Sequence, residues 1–184
     1  MTDNLRDTSL ERSSMSLGAL IEGSYWRYAN RPAIVHRGLR ITFAELGQKV
    51  HRLANAFISF GLEPGDRVII FLDNSPAFLE TEQALFTTGL GRVALNTRLT
   101  LREVAQIAND CEARMIVTHA ANAPELSALR TEMPSVSVMV AVEGPGEDEV
   151  LSYEEAAESG ASTRPSVPMP RSGDIAALIY TSGT

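Results

Sequence analysis

LEPGDRVIIFLDNSP, residues 62–76, sets the architecture. A Pro64-Gly65-Asp66 turn delivers the chain into Val68–Leu72, five apolar residues with no polar alternation. Strands of that kind belong to parallel sheets covered on both faces. Ser75-Pro76 follows almost at once, a capping hydroxyl and then a proline at the first helical position. A buried strand that passes directly into a helix is half of a βαβ unit, and the rest of the chain repeats it.

Downstream, the helix opened by Ser75 is expected to run to about Thr88 and to bury Phe78, Leu79, Leu85 and Phe86. Gly89 and Gly91 punctuate it before a short strand, Val93–Leu95. Thr100 and Glu103 form a capping box, Thr-x-x-Glu, at the head of a helix carrying Leu101, Val104 and Ile107. Further strands are predicted at Met115–Thr118 and Val136–Val142, with a helix near Pro124–Thr131 between them. EGPGEDE, 143–149, reads as a solvated acidic turn. Ser152 and Glu155 have capping-box spacing at the start of a short helix. SGASTRPSVPMPRSG, 159–173, is a Ser, Pro and Gly-rich surface connection. It leads to a last apolar strand, Ile175–Tyr180.

Upstream, Ser16 is placed to cap a helix with Leu17, Leu20, Ile21, Tyr25 and Tyr28 at helical spacing. Trp26 and its neighbouring tyrosines read as core. AIVHRGLRITF, 33–43, is a hairpin turning near Gly38. Thr42 and Glu45 make another capping box, and Leu46, Val50, Leu53, Ala54, Phe57 and Ile58 share one face of the helix it opens. The predicted fold class is therefore α/β: an open, mostly parallel sheet flanked by helices, with a small N-terminal β-hairpin. A polar leader is expected over 1–16 and the α/β unit over 17–184.

Composition narrows the function classes. Hydrophobic residues make up 44% and charged residues 21%, an ordinary globular balance. A net charge of −7 disfavours nucleic acid and anionic membranes as partners. No apolar stretch has membrane-spanning length, and the leader lacks an apolar signal segment. One cysteine, Cys111, excludes an internal disulfide and fits a cytoplasmic setting. With no activating base beside it in sequence, Cys111 reads as a small apolar residue.

The chemistry sits at the end. After the strand come Thr181, Ser182, Gly183 and Thr184. Backbone N–H groups and hydroxyls around a glycine, beyond the carboxyl end of a parallel strand, suit an anion such as a polyphosphate. The same pattern also serves as a plain strand-to-loop turn, and spacing alone leaves both readings open. It does not fit the Gly-x4-Gly-Lys-Ser/Thr phosphate loop, and Gly89-Leu90-Gly91-Arg92 closes a helix where a dinucleotide fingerprint would open one. Asn74 and Asn96 read as turn or cap residues. His36, His51 and His119 read as hairpin, helix-surface and loop residues.

DIAALIYTSGT, 174–184, resembles the start of the signature loop of the adenylate-forming superfamily, which includes acyl-CoA synthetases and peptide-synthetase adenylation domains. LRITFAELGQKVHRLANAF, GLEPGDRVIIFLDNS and GLGRVALNTRLTLREVAQIANDCEARMIV are similar to other stretches of that family in order and spacing. The chain departs from the pattern at Leu95, where the family often has proline, and at Gly91-Arg92, in place of a small apolar pair. The resemblance implies a fragment, the N-terminal part of a longer enzyme, cut inside a loop that continues with Thr-Gly and Pro-Lys. It implies that Thr181, Ser182, Gly183 and Thr184 contact the β- and γ-phosphates of ATP and that Thr181 helps hold Mg2+. It further implies a small-molecule carboxylic acid substrate and coenzyme A as thiol acceptor, with an amino-acid adenylation domain as runner-up. A non-catalytic structural or oligomerising module and an unrelated doubly wound nucleotide-binding domain are the readings from other classes, and a homo-oligomer is the macromolecular partnership left open.

Overall fold

The computed structural model describes residues 15–144 and 149–181. Helix α1 (Leu17–Arg27) is followed by the hairpin β1 (Pro32–His36) and β2 (Leu39–Thr42) and by α2 (Phe43–Ser59). Then come β3 (Arg67–Phe71), α3 (Pro76–Thr88), β4 (Gly91–Ala94), α4 (Leu101–Asp110), β5 (Ala113–His119) and α5 (Ala123–Ala128). Strands β6 (Val138–Val142) and β7 (Val150–Ser152), helix α6 (Tyr153–Ser159) and β8 (Ala177–Leu178) complete the order. β1 and β2 form an antiparallel pair joined at Arg37 and Gly38, both at positive φ, the two-residue turn that matches strand twist.

The other six strands form one sheet in the order β7-β6-β5-β3-β4-β8, and every neighbouring pair is parallel. Residues 62–76 thus supply the centre of the sheet. Val68 and Ile70 face one side, and Ile69 and Phe71 face the other. The first side is covered by α1, α2, α3 and α6 with Leu46, Val50, Leu53, Phe57 and Leu85. The second is covered by α4 and α5 with Val104, Ala105, Ala108 and Leu126. The result is a three-layer sandwich in which β3 is dry on both faces, as its unbroken apolar run requires.

Local signals are realised closely. Ser16, Thr42, Ser75, Thr100 and Ser152 each cap a helix by accepting from the backbone N–H three residues on. The boxes at Thr42–Glu45 and Thr100–Glu103 close in both directions. At α6 only half forms: Ser152 accepts from Glu155 N, while its hydroxyl donates to Glu154 Oε2. Gly89 ends α3 in the left-handed conformation.

Four expectations are corrected. Trp26 is 72% exposed, because α1 turns Gly18 and Tyr25 towards the core and leaves Leu17, Leu20 and Trp26 outside. Helix α3 fully buries Glu80, Thr81, Ala84, Leu85, Thr87 and Thr88, with Phe78, Leu79 and Phe86 only half-buried. It lies between α1, α2 and the sheet, so polar positions are enclosed too. Thr87 and Thr88 donate to carbonyls one turn back, and Glu80 accepts from Lys49 and from the Tyr153 hydroxyl. Val150–Ser152, with no strand predicted, forms β7, a three-residue ladder too short to show a period. The last strand is two residues, against an expected six. Among the described residues β8 pairs only with β4, and Ile175 and Ile179 are 68% and 81% exposed. The acidic segment 145–148 and the leader 1–14 lie outside the described residues.

Candidate functional site

Because all six strands are parallel, their carboxyl ends share one edge. β3 is central, β4 lies on one side of it and β5 on the other, so the chain reverses its direction of winding between β3 and β5. Side chains cannot fill the gap left by connections that diverge in this way, and ligands of open α/β sheets bind there. A cleft of about 780 Å³ opens at that point, lined by Phe71, Asp73, Thr97, His119, Glu125 and Glu143 among others. A second, of about 370 Å³, shares Asp73 and Thr97 and adds Asn74 and Asn96.

Each polar group is placed by the end of a strand. Asp73 lies two residues past β3, and its Oδ1 accepts from the Thr97 hydroxyl, 2.9 Å away, just past β4. His119 closes β5; its Nε2 is 3.4 Å from Asp73 N and 3.7 Å from Asp73 Oδ2, and its Nδ1 is 3.6 Å from Glu143. Glu143 follows β6 at φ +64, a left-handed conformation uncommon for its type. Asn122 Nδ2 donates to Thr118. Asn96 accepts from Arg98 N, the turn role expected of it.

Along the chain no carboxylate stands at metal-ligand spacing from His119. The fold brings two to it. The available signal was positional: Asp73, Thr97, His119 and Glu143 all fall within three residues of a strand end. Among the described residues no group of three His, Cys, Asp or Glu is arranged to hold a metal ion. The lining named above carries three carboxylates, and among the described residues no lysine or arginine lines the cleft.

Of the predicted phosphate-loop residues the structure describes Thr181, which lines neither cleft. β8 runs parallel to β4 with Ala177 opposite Arg92 and Leu178 opposite Val93, so the chain leaves it travelling towards the cleft edge. Beyond Leu178 the ladder ends. Tyr180 lies over the α4 side, its hydroxyl donating to Asp110 Oδ2 at 2.5 Å. Burial and the Asp110 carboxylate push the Tyr180 phenol up from its ordinary value. Thr181 is exposed. Ser182, Gly183 and Thr184 lie outside the described residues. Cys111 is buried beside Tyr180 and Arg67; burial raises its thiol above the usual range, which leaves it protonated and inert.

The remaining buried polar cluster is structural. Glu80, 2% exposed, accepts from Lys49 Nζ at 3.2 Å and from the Tyr153 hydroxyl at 2.9 Å, tying α2, α3 and α6 together. Burial first, and then the Glu80 charge, raise the Tyr153 phenol well above its ordinary value.

A sequence model of the AMP-binding enzyme family matches residues 22–184. The chain is 28% identical over 165 residues to a crotonobetaine/carnitine–CoA ligase of Citrobacter koseri, covering 85% of this chain and 32% of that protein. It is 31% identical over 148 residues to the enzyme so named in Escherichia fergusonii, covering 79% of this chain and 29% of that one. The chain thus spans about a third of the length of these relatives. Among solved structures, an anthranilate–CoA ligase in complex with anthranoyl-AMP superposes with a TM-score of 0.85 at 22% identity, over 92% of this chain and 33% of that one. A fatty acyl-CoA synthetase of Mycobacterium tuberculosis superposes with a TM-score of 0.78 at 25% identity, over 91% of this chain and 32% of that one.

Proposed function

The chain belongs to the family of AMP-binding enzymes, and from that premise we propose that it is the N-terminal part of an ATP-dependent carboxylic acid–CoA ligase. The substrate acid, fatty or aromatic, would attack the α-phosphorus of ATP to give an acyl-adenylate and pyrophosphate. The thiol of coenzyme A would then take the acyl group and release AMP. The observation that carries this reading is the parallel pairing of β8 with β4, which adds the segment before Thr181 to the same parallel sheet whose carboxyl edge opens the cleft.

Thr181, Ser182, Gly183 and Thr184 would hold the β- and γ-phosphates through N–H groups and hydroxyls. Thr181 would offer its hydroxyl to Mg2+, a hard ion that prefers oxygen and keeps much of its shell on phosphates and water. A single exposed hydroxyl suits such a shared ion better than a closed protein cage. When bound, the ion would neutralise triphosphate charge. Asp73, Glu125 and Glu143 repel a polyphosphate, so the triphosphate belongs on the β8 side of the edge.

The test is acid-dependent exchange of pyrophosphate into ATP by the protein whose sequence continues past Thr184, beside residues 1–184 alone. Exchange is expected in the longer protein, depressed by Thr181→Ala. It is not expected in the 184 residues. A net hydrogen bond in open water is worth about 1 kcal/mol, whereas even millimolar affinity needs about 4. No exchange by the longer protein with any aliphatic, aromatic or amino acid overturns the ligase reading.

A further inference from the structure

The connection between α6 and β8 is fastened to α2 by side chains that face carbonyl oxygens. Arg52 Nη1 donates to the carbonyls of Glu158 at 2.9 Å and Gly160 at 3.1 Å. Asn55 Nδ2 donates to those of Ala161 at 2.9 Å and Thr163 at 2.8 Å. Gly160 lies so close to α2 that a Cβ there would stand 2.1 Å from the Arg52 carbonyl oxygen. His51 fills the gap in the row. Its Nδ1 is 3.2 Å from the Ser162 carbonyl oxygen, and its Nε2 is 3.0 and 3.1 Å from the two Glu22 oxygens on α1.

These partners decide the proton count. A carbonyl oxygen only accepts, and so does an ionised carboxylate. A neutral imidazole has one N–H, so one of its two contacts would set lone pair against lone pair; the imidazolium satisfies both. Other groups face the ring. Tyr25 meets it edge-on with centroids 5.9 Å apart, its hydroxyl committed to Gln83. Arg164, on the connection itself, opposes a second positive charge, and Arg52 is committed to carbonyls. Burial alone would lower the His51 value; the hydrogen bond and charge of Glu22, with the Ser162 carbonyl, outweigh burial and Arg164 and leave it above 6.5.

We propose that His51 is a proton-operated tie, which as imidazolium fastens the 160–164 strap to α1 and α2 and on losing its proton releases Ser162. The single remaining N–H stays with Glu22, since a carboxylate is the stronger acceptor. The tie is complete below the ordinary histidine value of 6.5 and is lost as pH rises through the higher folded-state value. The strap is joined to β8, a strand of two ladder residues, through residues 165–176. The inference stands independently of the ligase reading.

The experiment is a titration of the isotope-labelled 184-residue chain by NMR from about pH 5 to about pH 9, the span in which histidines exchange protons. The His51 ring is expected to titrate above 6.5, and the heteronuclear NOE of residues 160–164 to fall with the same midpoint. His51→Gln is expected to abolish the pH response of the strap. Glu22→Gln is expected to lower ring and strap midpoints together, and it decides the matter if the His51 variant does not fold. A strap whose mobility ignores the ring midpoint, that keeps its pH response in His51→Gln, or that fails to follow the ring in Glu22→Gln overturns the proposal.

Discussion

β3 and β8 are written alike, VIIFL at 68–72 and IAALIY at 175–180, yet the two runs end in opposite surroundings. Residues Val68–Leu72 are all buried, with β4 and β5 alongside and helices on both faces. The second run pairs through two residues with one neighbour and leaves Ile175 and Ile179 in solvent. An apolar run states what a strand can tolerate. Its burial is a property of the neighbours, and those are specified elsewhere in the chain.

The sharpest way to break that contrast is to shorten the same side chain in both places. Ile70→Ala empties a site closed on every side and is expected to cost about 2–5 kcal/mol, the lost transfer energy plus an unrelaxed cavity. Ile179→Ala removes atoms already in water and should stay within about 0.5 kcal/mol. Urea unfolding of the two variants measures both. Equal losses would show that the end of β8 is covered in solution.

Glycines offer a second, smaller contrast. A Cβ on Gly18 in α1 would stand 2.3 Å from the Phe86 carbonyl oxygen of α3, a backbone atom that cannot swing aside. Gly18→Ala must push α1 off α3, and about 1–3 kcal/mol of overpacking cost is expected. Gly173, in the approach to β8, has nothing within 4 Å of such a Cβ. Gly173→Ala should be neutral within about 0.5 kcal/mol in the same unfolding assay.

What could be read in the chain follows the same line. Caps were legible because a hydroxyl and the N–H three residues on form a closed local unit: Ser16, Thr42, Ser75, Thr100 and Ser152 all act as their spacing says. The centre of the sheet was legible because five apolar residues in a row have few other places to go. Burial on α1 and α3 was not, since it depends on which side the neighbouring layer takes. Leu17, Leu20 and Trp26 are as periodic as Ile21 and Tyr25, and Glu80 is enclosed only because Lys49 and Tyr153 arrive from other elements. The cleft was half legible. Its place followed from the parallel sheet, whereas the meeting of Asp73, His119 and Glu143 depends on the order β6-β5-β3, which no local pattern encodes. The tie at His51 was invisible for the same reason, as Ser162 reaches it from the far end of the chain.

The smallest expected effect belongs to the most legible features, the capping boxes of α2 and α4. In each, the backbone N–H of Thr42 or Thr100 and then its hydroxyl donate to Glu45 or Glu103, and they hold those carboxyls below the ordinary value of 4.5. Some loss of hydration opposes this in both, and Lys49 assists Glu45. A lowered folded-state value means that the boxes contribute stability above about pH 4.5, the unfolded range, and lose it as pH falls through the lowered values. Glu45→Gln with Glu103→Gln should therefore flatten the acid limb of a stability-against-pH curve below 4.5 and leave the slope at neutral pH unchanged. Thr42→Ala, which removes the reciprocal partner as well, should cost about 1 kcal/mol at neutral pH. Both carboxylates are fully exposed, so salt screens their charge but leaves the short N–H bonds in place. An acid limb identical in the doubly substituted and parent chains would show that the boxes already persist in the unfolded ensemble, and the local order that makes them readable would then contribute nothing to folding.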